Sequence, residues 1–548
     1  MTAVFTIFAS LAAIAFLPVV TAFLRLVRQR SLWSVPGPKS VSFVSGKCRS
    51  LSRYLGPDAI QYQAKLRDEY GRIIRIPGYF GEQILSIADT KALYDIFIKN
   101  QDSFEQAEYF RENVRLLFGG PGLFSTLGDA HRKQRKLMNP AFSINHMRRM
   151  VPIFRTVTLQ LQNIMRANIG NEPTEVDIME YMGRLALDLI THAGFGHSFH
   201  AVEGKDDNYS LAVKKLLPLN ARLMLWRPLL PYLTRNIPGY VLRFIADRMP
   251  WPALHELIEN ADIALTTSRR LWEEKKRLHA IGDKSVINEY GEGKDILSIM
   301  FRANVGASEE ERLSEEELMA QITTFTVAGS DTTSNALSRI FHFLSLHPEV
   351  QDKLREELTE ACGASGEITY DDLMDLPYLE AVCRETLRLH PPVHLVQRHA
   401  REDFVLPLAH SFTDTDDKDK NELFVPRGTT IFANIIGVNQ DQGIWGPDAM
   451  AWRPERWLSP LPETVAQARV PGVYSNLLTF IGGGRACIGF KFSQLEMKVA
   501  LAQLIPTFRF TPSEKHEIVW RFGGVVTPSY KGSKSSEPEL PMCVSLVS

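Results

Sequence analysis

A mainly α-helical domain with small β-sheets, preceded by one N-terminal transmembrane helix, is the fold class that the sequence predicts. Three observations predict it. An uncharged run, Ala3 to Leu24, opens the chain. Apolar residues at helical spacing recur through most of the remainder. Strand-like runs are short and scarce.

The opening run, AVFTIFASLAAIAFLPVVTAFL, matches the roughly 20 residues that a helix needs to cross a bilayer. Pro18 is tolerated in such a helix. Arg25, Arg28 and Arg30 follow at once, which predicts that the rest of the chain stays cytosolic. A cleaved signal peptide would carry positive charge before its apolar run, and none stands there. The expected organisation is a membrane anchor at 1–30, a Pro-rich hinge at 31–40 and one domain at 41–548. The hinge rests on WSVPGP, Trp33 to Pro38, where two prolines and a glycine make a stiff elbow.

Along the domain, Arg72 to Ile76 and Gln83 to Ala88 read as a hairpin around the Gly78–Gly81 turn, and Thr429 to Ala433 as a short strand. Leu265 to His279, Asp352 to Ala361 and Leu379 to His390 read as amphipathic helices. Glu315 to Leu346 reads as a long helix, opened by Ser314 and Glu317 in the spacing of a capping box. Prolines crowd Leu217 to Pro252 and are expected to stop regular helix there. Trp226 and Trp251 among them suit either a membrane interface or an irregular packed loop. Thr413 to Glu422, TDTDDKDKNE, reads as a solvated surface loop.

Composition narrows the function. Of 548 residues, 45% are hydrophobic and 23% charged, ordinary for a globular protein with a large core. A net charge of -1 provides no global field for nucleic acid or acidic substrates. Five cysteines, odd in number and without close spacing, argue against a zinc site, a redox motif or a disulfide framework. A reducing compartment is the expected setting.

Five stretches carry candidate chemistry. VAGSDTTS, Val327 to Ser334, sits in the middle of the long predicted helix. Gly329 weakens a helix there by roughly 1 kcal/mol relative to alanine, and Asp331 and Thr332 compete with helical hydrogen bonds. Either an opened turn admits a small ligand beside a carboxylate and a hydroxyl, or the turn is a kink capped by its own side chains. ETLR, Glu385 to Arg388, puts opposite charges on one helical face. WRPERW, Trp452 to Trp457, adds Arg456 in an extended setting, and GDAHRKQRK, Gly128 to Lys136, places His131 and Arg135 one turn apart. The fifth stretch, FIGGGRACIG from Phe480 to Gly489, ends a flexible glycine run in Cys487. By itself such a cysteine is a small buried hydrophobe or a ligand.

In this order the stretches resemble the cytochrome P450 family, from about Pro36 to the C-terminus. The family's haem-loop pattern, Phe-x-x-Gly-x-Arg-x-Cys-x-Gly, is matched by Phe480, Gly483, Arg485, Cys487 and Gly489. The resemblance implies the cytochrome P450 fold and Cys487 as the axial thiolate of haem b, a ligand that favours oxygen–oxygen cleavage. It implies an oxygen-activating groove at Ala328, Gly329, Asp331 and Thr332, with Thr332 holding dioxygen or the water that protonates it. Asp331 would help deliver protons. Glu385, Arg388 and Arg456 match a structural charge triad. Arg135 matches a haem-propionate contact, and His131 stands where tryptophan is common but can still donate to a propionate. Arg398, just after Pro391–Pro392, suits a second propionate contact.

The resemblance also implies the reaction: insertion of one oxygen atom into a carbon–hydrogen bond of a lipophilic substrate. The expected pocket walls are Phe104 to Phe124, the segment after Leu217, Phe325 to Ala328, Val393 to Val396, and Phe522 to Val526. No flavin domain is legible, so electrons are expected from NADPH through a membrane-bound NADPH–cytochrome P450 reductase. Lys133, Lys136, Arg148, Arg149 and Lys491 are candidates for its docking face. The chain resembles microsomal P450s of fungi, many of which oxidise terpenoids or polyketides in secondary metabolism. The expected location is the endoplasmic reticulum membrane. The competing readings are a fatty-acid or xenobiotic hydroxylase, a haem-thiolate binding or sensor protein without turnover, and a haem-dependent isomerase or dehydratase. The acid–alcohol pair Asp331–Thr332 argues against the last two.

Overall fold

The computed structural model describes residues 27–39, 49–170, 172–205, 207–281, 295–363, 368–474, 476–535 and 537–547. Of the expected membrane anchor at 1–30, residues 1–26, which hold its whole apolar run, lie outside the described residues, as does Cys48. Among the described residues, no helix is long and apolar enough to cross a membrane. The fold is mainly helical with small sheets, and the chain divides into two compact units.

The first unit comprises Met1–Ala107, His394–Met450 and Pro462–Ala486. Its five-stranded sheet runs in the order Ile73–Pro77, Gln83–Ile87, Thr430–Asn434, Leu395–Ala400, Phe104–Glu105. The first two strands are the hairpin expected from the sequence, with Ile74 opposite Ser86 and Ile76 opposite Ile84. All residues of both strands are buried, which is why they read as apolar runs rather than alternating ones. Tyr54 stacks on Phe432 at 5.7 Å between ring centroids and shares a 2.6 Å hydrogen bond with Ser86. The WSVPGP segment packs along this sheet. The Pro36 carbonyl accepts from the Arg75 N–H, and a Cβ on Gly37 would lie 2.1 Å from the Arg75 carbonyl oxygen.

The sequence reading of Thr413 to Glu422 as a loop needs correction. Phe404–Thr413 and Asp419–Val425 pair as an antiparallel hairpin, and only its tip is a turn. Asp414 accepts from the Asp416 and Lys418 N–H groups there. An aspartate that satisfies turn amides lets a charged run close a hairpin.

The second unit comprises Glu108–Val393, Ala451–Leu461 and Cys487–Ser548. It holds most of the helices, among them Ile144–Ile169, Ile178–Phe195, Pro252–Ile281, Pro348–Cys362, Pro377–Leu389 and Phe490–Leu504. Small sheets close it: Thr174–Asp177, Pro541–Leu546 and Phe508–Pro512 form one, and Ile518–Phe522 with Val526–Tyr530 another. The long helix spans Glu315–Leu346 and begins in the predicted capping box. Ser314 Oγ accepts from the Glu317 N–H at 3.3 Å, and the Glu317 carboxylate accepts from the Ser314 N–H at 2.9 Å.

Two expectations change in this unit. The long helix is continuous through Val327–Ser334, so no turn is opened. Gly329 instead serves packing, since a Cβ there would lie 3.0 Å from Ile190 Cγ1 on the neighbouring Ile178–Phe195 helix. The proline-rich region is also more helical than expected. Pro218 lies inside the Asn208–Arg222 helix, and the chain then breaks into Met224–Leu229, Leu230–Asn236 and Gly239–Ala246. These short pieces leave Trp226, Tyr240 and Phe244 exposed, and Trp226 meets Trp251 edge to face at 5.5 Å.

Candidate active site

The glycine run before Cys487 is dictated by close approach. A Cβ on Gly482 would lie 2.1 Å from the Pro471 carbonyl oxygen, and one on Gly483 only 1.8 Å from that of Phe97. Gly483 also has φ +72°, a region that favours glycine. The Gly484 N–H donates to Gln101 Oε1 at 2.8 Å, and a Cβ would meet that same oxygen. Just before them Ile481 has φ +47°, a strained conformation for a β-branched residue. Phe480 meets Tyr474 edge to face at 5.7 Å.

Cys487 begins the second unit, two residues before Gly489 caps the Phe490–Leu504 helix. Its sulfur accepts a hydrogen bond from the Gly489 N–H. The side chain has open surface, yet the protein atoms around it are dense enough that burial pushes the thiol up. The Gly489 amide and the Arg135 charge pull the other way. A sulfur with open surface, a helix-start amide and a nearby guanidinium suits a thiolate whose remaining charge is met by a metal cation.

Arg135 lies on the Gly128–Met138 helix, half-buried and lowered by desolvation, with buried His131 one turn before it. Arg398, in the first unit, is buried with its guanidinium 5.0 Å from the Phe97 ring centroid, and it donates to the Gln397 carbonyl at 2.8 Å. Burial, and then the repulsion of Arg485, bring it down to about 10. Arg398 is thus a buried cation beside a second cation, Arg485; an anion there would relieve the repulsion, and the propionates of a haem are anions. The residues present therefore fit the group that the sequence implies.

On the long helix Thr332 Oγ1 donates to the Ala328 carbonyl at 2.8 Å. Its proton is thus committed, and its oxygen is left to accept. The Asp331 carbonyl accepts from Asn335 at 2.7 Å and Ser334 at 3.1 Å, while its carboxyl has part of its surface open. Desolvation raises that carboxyl to about 7, with Lys214 lowering it and Glu537 raising it. An acid poised near neutrality is what proton delivery requires.

The charge triad is fully buried. Arg388 Nε and Nη2 each donate to the Glu385 carboxylate at 2.8 Å, and Arg456 Nε donates at 3.3 Å. Sequence reasoning missed the other donors. The Arg453 N–H reaches Glu385 at 3.1 Å and the Trp457 indole at 3.0 Å, while Trp452 donates to Thr386 at 2.9 Å. The tryptophans of WRPERW were the available signal, because an indole N–H buried near a carboxylate needs an acceptor. Gln101, which holds Gly484, gave no signal at all.

Other expected positions are mixed. Leu117, Phe118, Leu123, Phe325, Val525 and Val526 are buried, whereas Leu116 and Phe124 keep much of their surface exposed. Among the basic residues, Lys136 pairs with Glu311, and Arg148 holds Asp371 through two 2.9 Å hydrogen bonds.

A helical fold with a cysteine set in this way fits a class: oxidoreductases that carry haem on a cysteine thiolate. Comparison with known proteins agrees. The cytochrome P450 family model matches residues 50–533. The chain is 46% identical to cytochrome P450 monooxygenase 91 of Postia placenta, over 96% of each chain. It is 41% identical to cytochrome P450 monooxygenase 212 of the same fungus, over 95% of this chain and 96% of that one. It is 39% identical to a ganoderic acid synthetase of Ganoderma lucidum, over 94% of each. The chain belongs to the cytochrome P450 family, and it is a P450 oxidoreductase.

Removing Glu385 takes the carboxylate from two buried guanidiniums, so Glu385→Ala is expected to cost about 3–5 kcal/mol. Urea unfolding of the haem-loaded protein measures this, and a loss below 1 kcal/mol (about a tenth of typical domain stability) would reassign the triad as dispensable.

Proposed function

We propose that the protein hydroxylates a lipophilic small molecule of terpenoid type in fungal secondary metabolism, at the endoplasmic reticulum membrane. The observation that carries the activity is the densely walled yet open Cys487 sulfur, with the Asp331–Thr332 pair in the same unit. The likeness to a ganoderic acid synthetase supports the substrate class. The exposed Trp226, Tyr240 and Phe244 support membrane contact.

Bound haem b would supply oxygen activation, placing one oxygen atom in the substrate and the other in water, with electrons from NADPH through a partner reductase. In this reading Cys487 is the thiolate ligand, and the Gly489 N–H and Arg135 temper its charge. Arg135, His131, Arg398 and Arg485 hold the propionates. Phe480, Gly483 and Gly489 shape the ligand loop, and Ala328 and Gly329 form the groove floor. Thr332, its own proton held by Ala328, accepts a hydrogen bond from the water that arrives beside it. Asp331 passes a proton to that water. Of the candidate docking residues, Lys133, Arg149 and Lys491 remain for the reductase face.

Product analysis tests the reading. The full-length chain is co-expressed with a P450 reductase in a microsomal host, fed terpenoid alcohols and long-chain fatty acids, and assayed by mass spectrometry for added oxygen. Oxygen on terpenoids alone supports the proposal. Oxygen on fatty acids, or on all substrates, assigns the enzyme to lipid or xenobiotic oxidation.

Three outcomes follow for variants in that host. Cys487→Ser is expected to lose both oxidation and the thiolate haem spectrum, and retained activity removes Cys487 as the ligand. Thr332→Ala is expected to keep the haem spectrum but divert NADPH into peroxide, read as the ratio of product to NADPH consumed. Unchanged coupling takes Thr332 out of proton delivery. The third concerns pH. Asp331 carries its proton below a pH of about 7 and loses it above. The donor form therefore disappears as pH rises, and turnover should fall through that range. Asp331→Asn should be slower throughout and lack that alkaline limb; an unchanged limb assigns it to another group.

A further inference from the structure

Two turns beyond Thr332, the long helix carries basic side chains that oxygen chemistry does not use. Arg339 lies seven residues on, about 10 Å along the axis. It is only 7% exposed. Its guanidinium carbon stands 3.4 Å from the Trp520 ring centroid, and among the described residues it makes no hydrogen bond or ion pair. His342 accepts at Nδ1 from the Trp520 indole N–H at 3.1 Å. An indole can only donate, so the neutral His342 ring carries its proton on Nε2 and is a donor there. His390, just past the Pro377–Leu389 helix, stacks on Phe343 at 5.2 Å. Its Nδ1 is buried with no partner among the described residues.

These groups feel one another, and no described carboxylate offsets them. Burial holds Arg339 well below its ordinary value. Burial and the Arg339 charge lower His342 to about 4. His390 is lowered by burial and then by Arg339, Arg388 and His342, all of them basic. Arg388 is already neutralised by Glu385. That leaves Arg339 as a desolvated cation flanked by two imidazoles. Protein interiors pair such charges.

The geometry indicates what the partner is. Trp520 covers one face of the guanidinium, which leaves the in-plane N–H edge to recognise a ligand. That planar fork matches two oxygens of a carboxylate or a phosphate, and a spherical ion uses it poorly. We propose that Arg339, His342 and His390 form a binding site for a small oxyanion beside Trp520. Occupancy would fasten the 518–530 hairpin to the long helix. Trp520 lies in its first strand, opposite Pro528, and the Val526 N–H of its second strand donates to the Pro392 carbonyl at 2.9 Å. The proposal does not depend on the substrate reading above.

The test uses the haem-loaded, full-length protein in a zwitterionic buffer at constant ionic strength. Inorganic phosphate, acetate or chloride is added, and thermal unfolding is followed. Phosphate or acetate is expected to raise Tm saturably, as a ligand of the folded state must, while chloride does not. A response to phosphate alone or to acetate alone identifies a phosphoryl or a carboxylate ligand. Arg339→Gln should abolish the response and His390→Gln weaken it, with the thiolate haem spectrum unchanged in both. If Arg339→Gln does not fold, Arg339→Lys keeps the charge without the fork and should bind at least tenfold more weakly. Anion already bound through purification is read by ion chromatography after acid denaturation, with one per chain expected. The proposal is overturned if neither carried anion nor a saturable response is found, if chloride acts as well as the oxyanions, or if the Arg339 variants respond like the parent.

Discussion

The Glu385 carboxylate is the interaction on which the second unit depends most. At least five donors converge on it: two from Arg388, one each from Arg456 and Trp457, and the Arg453 backbone N–H. The donors come from the Pro377–Leu389 helix and from the 451–457 segment, far apart in sequence. Such a buried ion costs a great deal to desolvate, and only full satisfaction of its lone pairs makes it tolerable. The arrangement is therefore all-or-none. It locks the helix and the segment in one register, where a hydrophobic contact would allow sliding.

The two units handle charge in the same way at two places. In the first, Arg398 and Arg485 repel each other, and Arg398 is buried. In the second, Arg339 is buried against Trp520 without a carboxylate. In both places a buried basic group is lowered by burial and by a basic neighbour. Haem propionates offset the first in our reading. The second has no counterpart in oxygen chemistry, which is why it points to a further ligand.

Much of this was legible in the sequence where the cause was local. Ser314 and Glu317 lie three residues apart, and their capping box starts the helix where it was expected. The hairpin at 73–87 was legible because both strands are short apolar runs flanking a glycine turn. Legibility failed where a distant residue decides the outcome. Gly329 looked like a weak point in a helix; its reason is Ile190, on another helix. Thr332 looked like a helix breaker, but its hydroxyl folds back onto Ala328 and the helix continues. The charged run at 413–422 was read as a loop because its strand partner lies in the preceding apolar run. The motif at Phe480 to Gly489 identified Cys487, while the reason for three glycines lay in Phe97, Pro471 and Gln101.

Those three contacts bear on how such an enzyme can diversify. Each glycine is held by a different neighbour, two of them backbone carbonyls that no side-chain change can move. A single compensating substitution cannot free the loop, so drift there is blocked in every direction at once. Leu116 and Phe124, by contrast, keep much of their surface exposed, and replacing them disturbs little packing. In the proposed pocket, selection for a new substrate thus has inexpensive positions to explore while the proposed ligand loop stays frozen. A lineage built on this plan can multiply its products without renegotiating its chemistry.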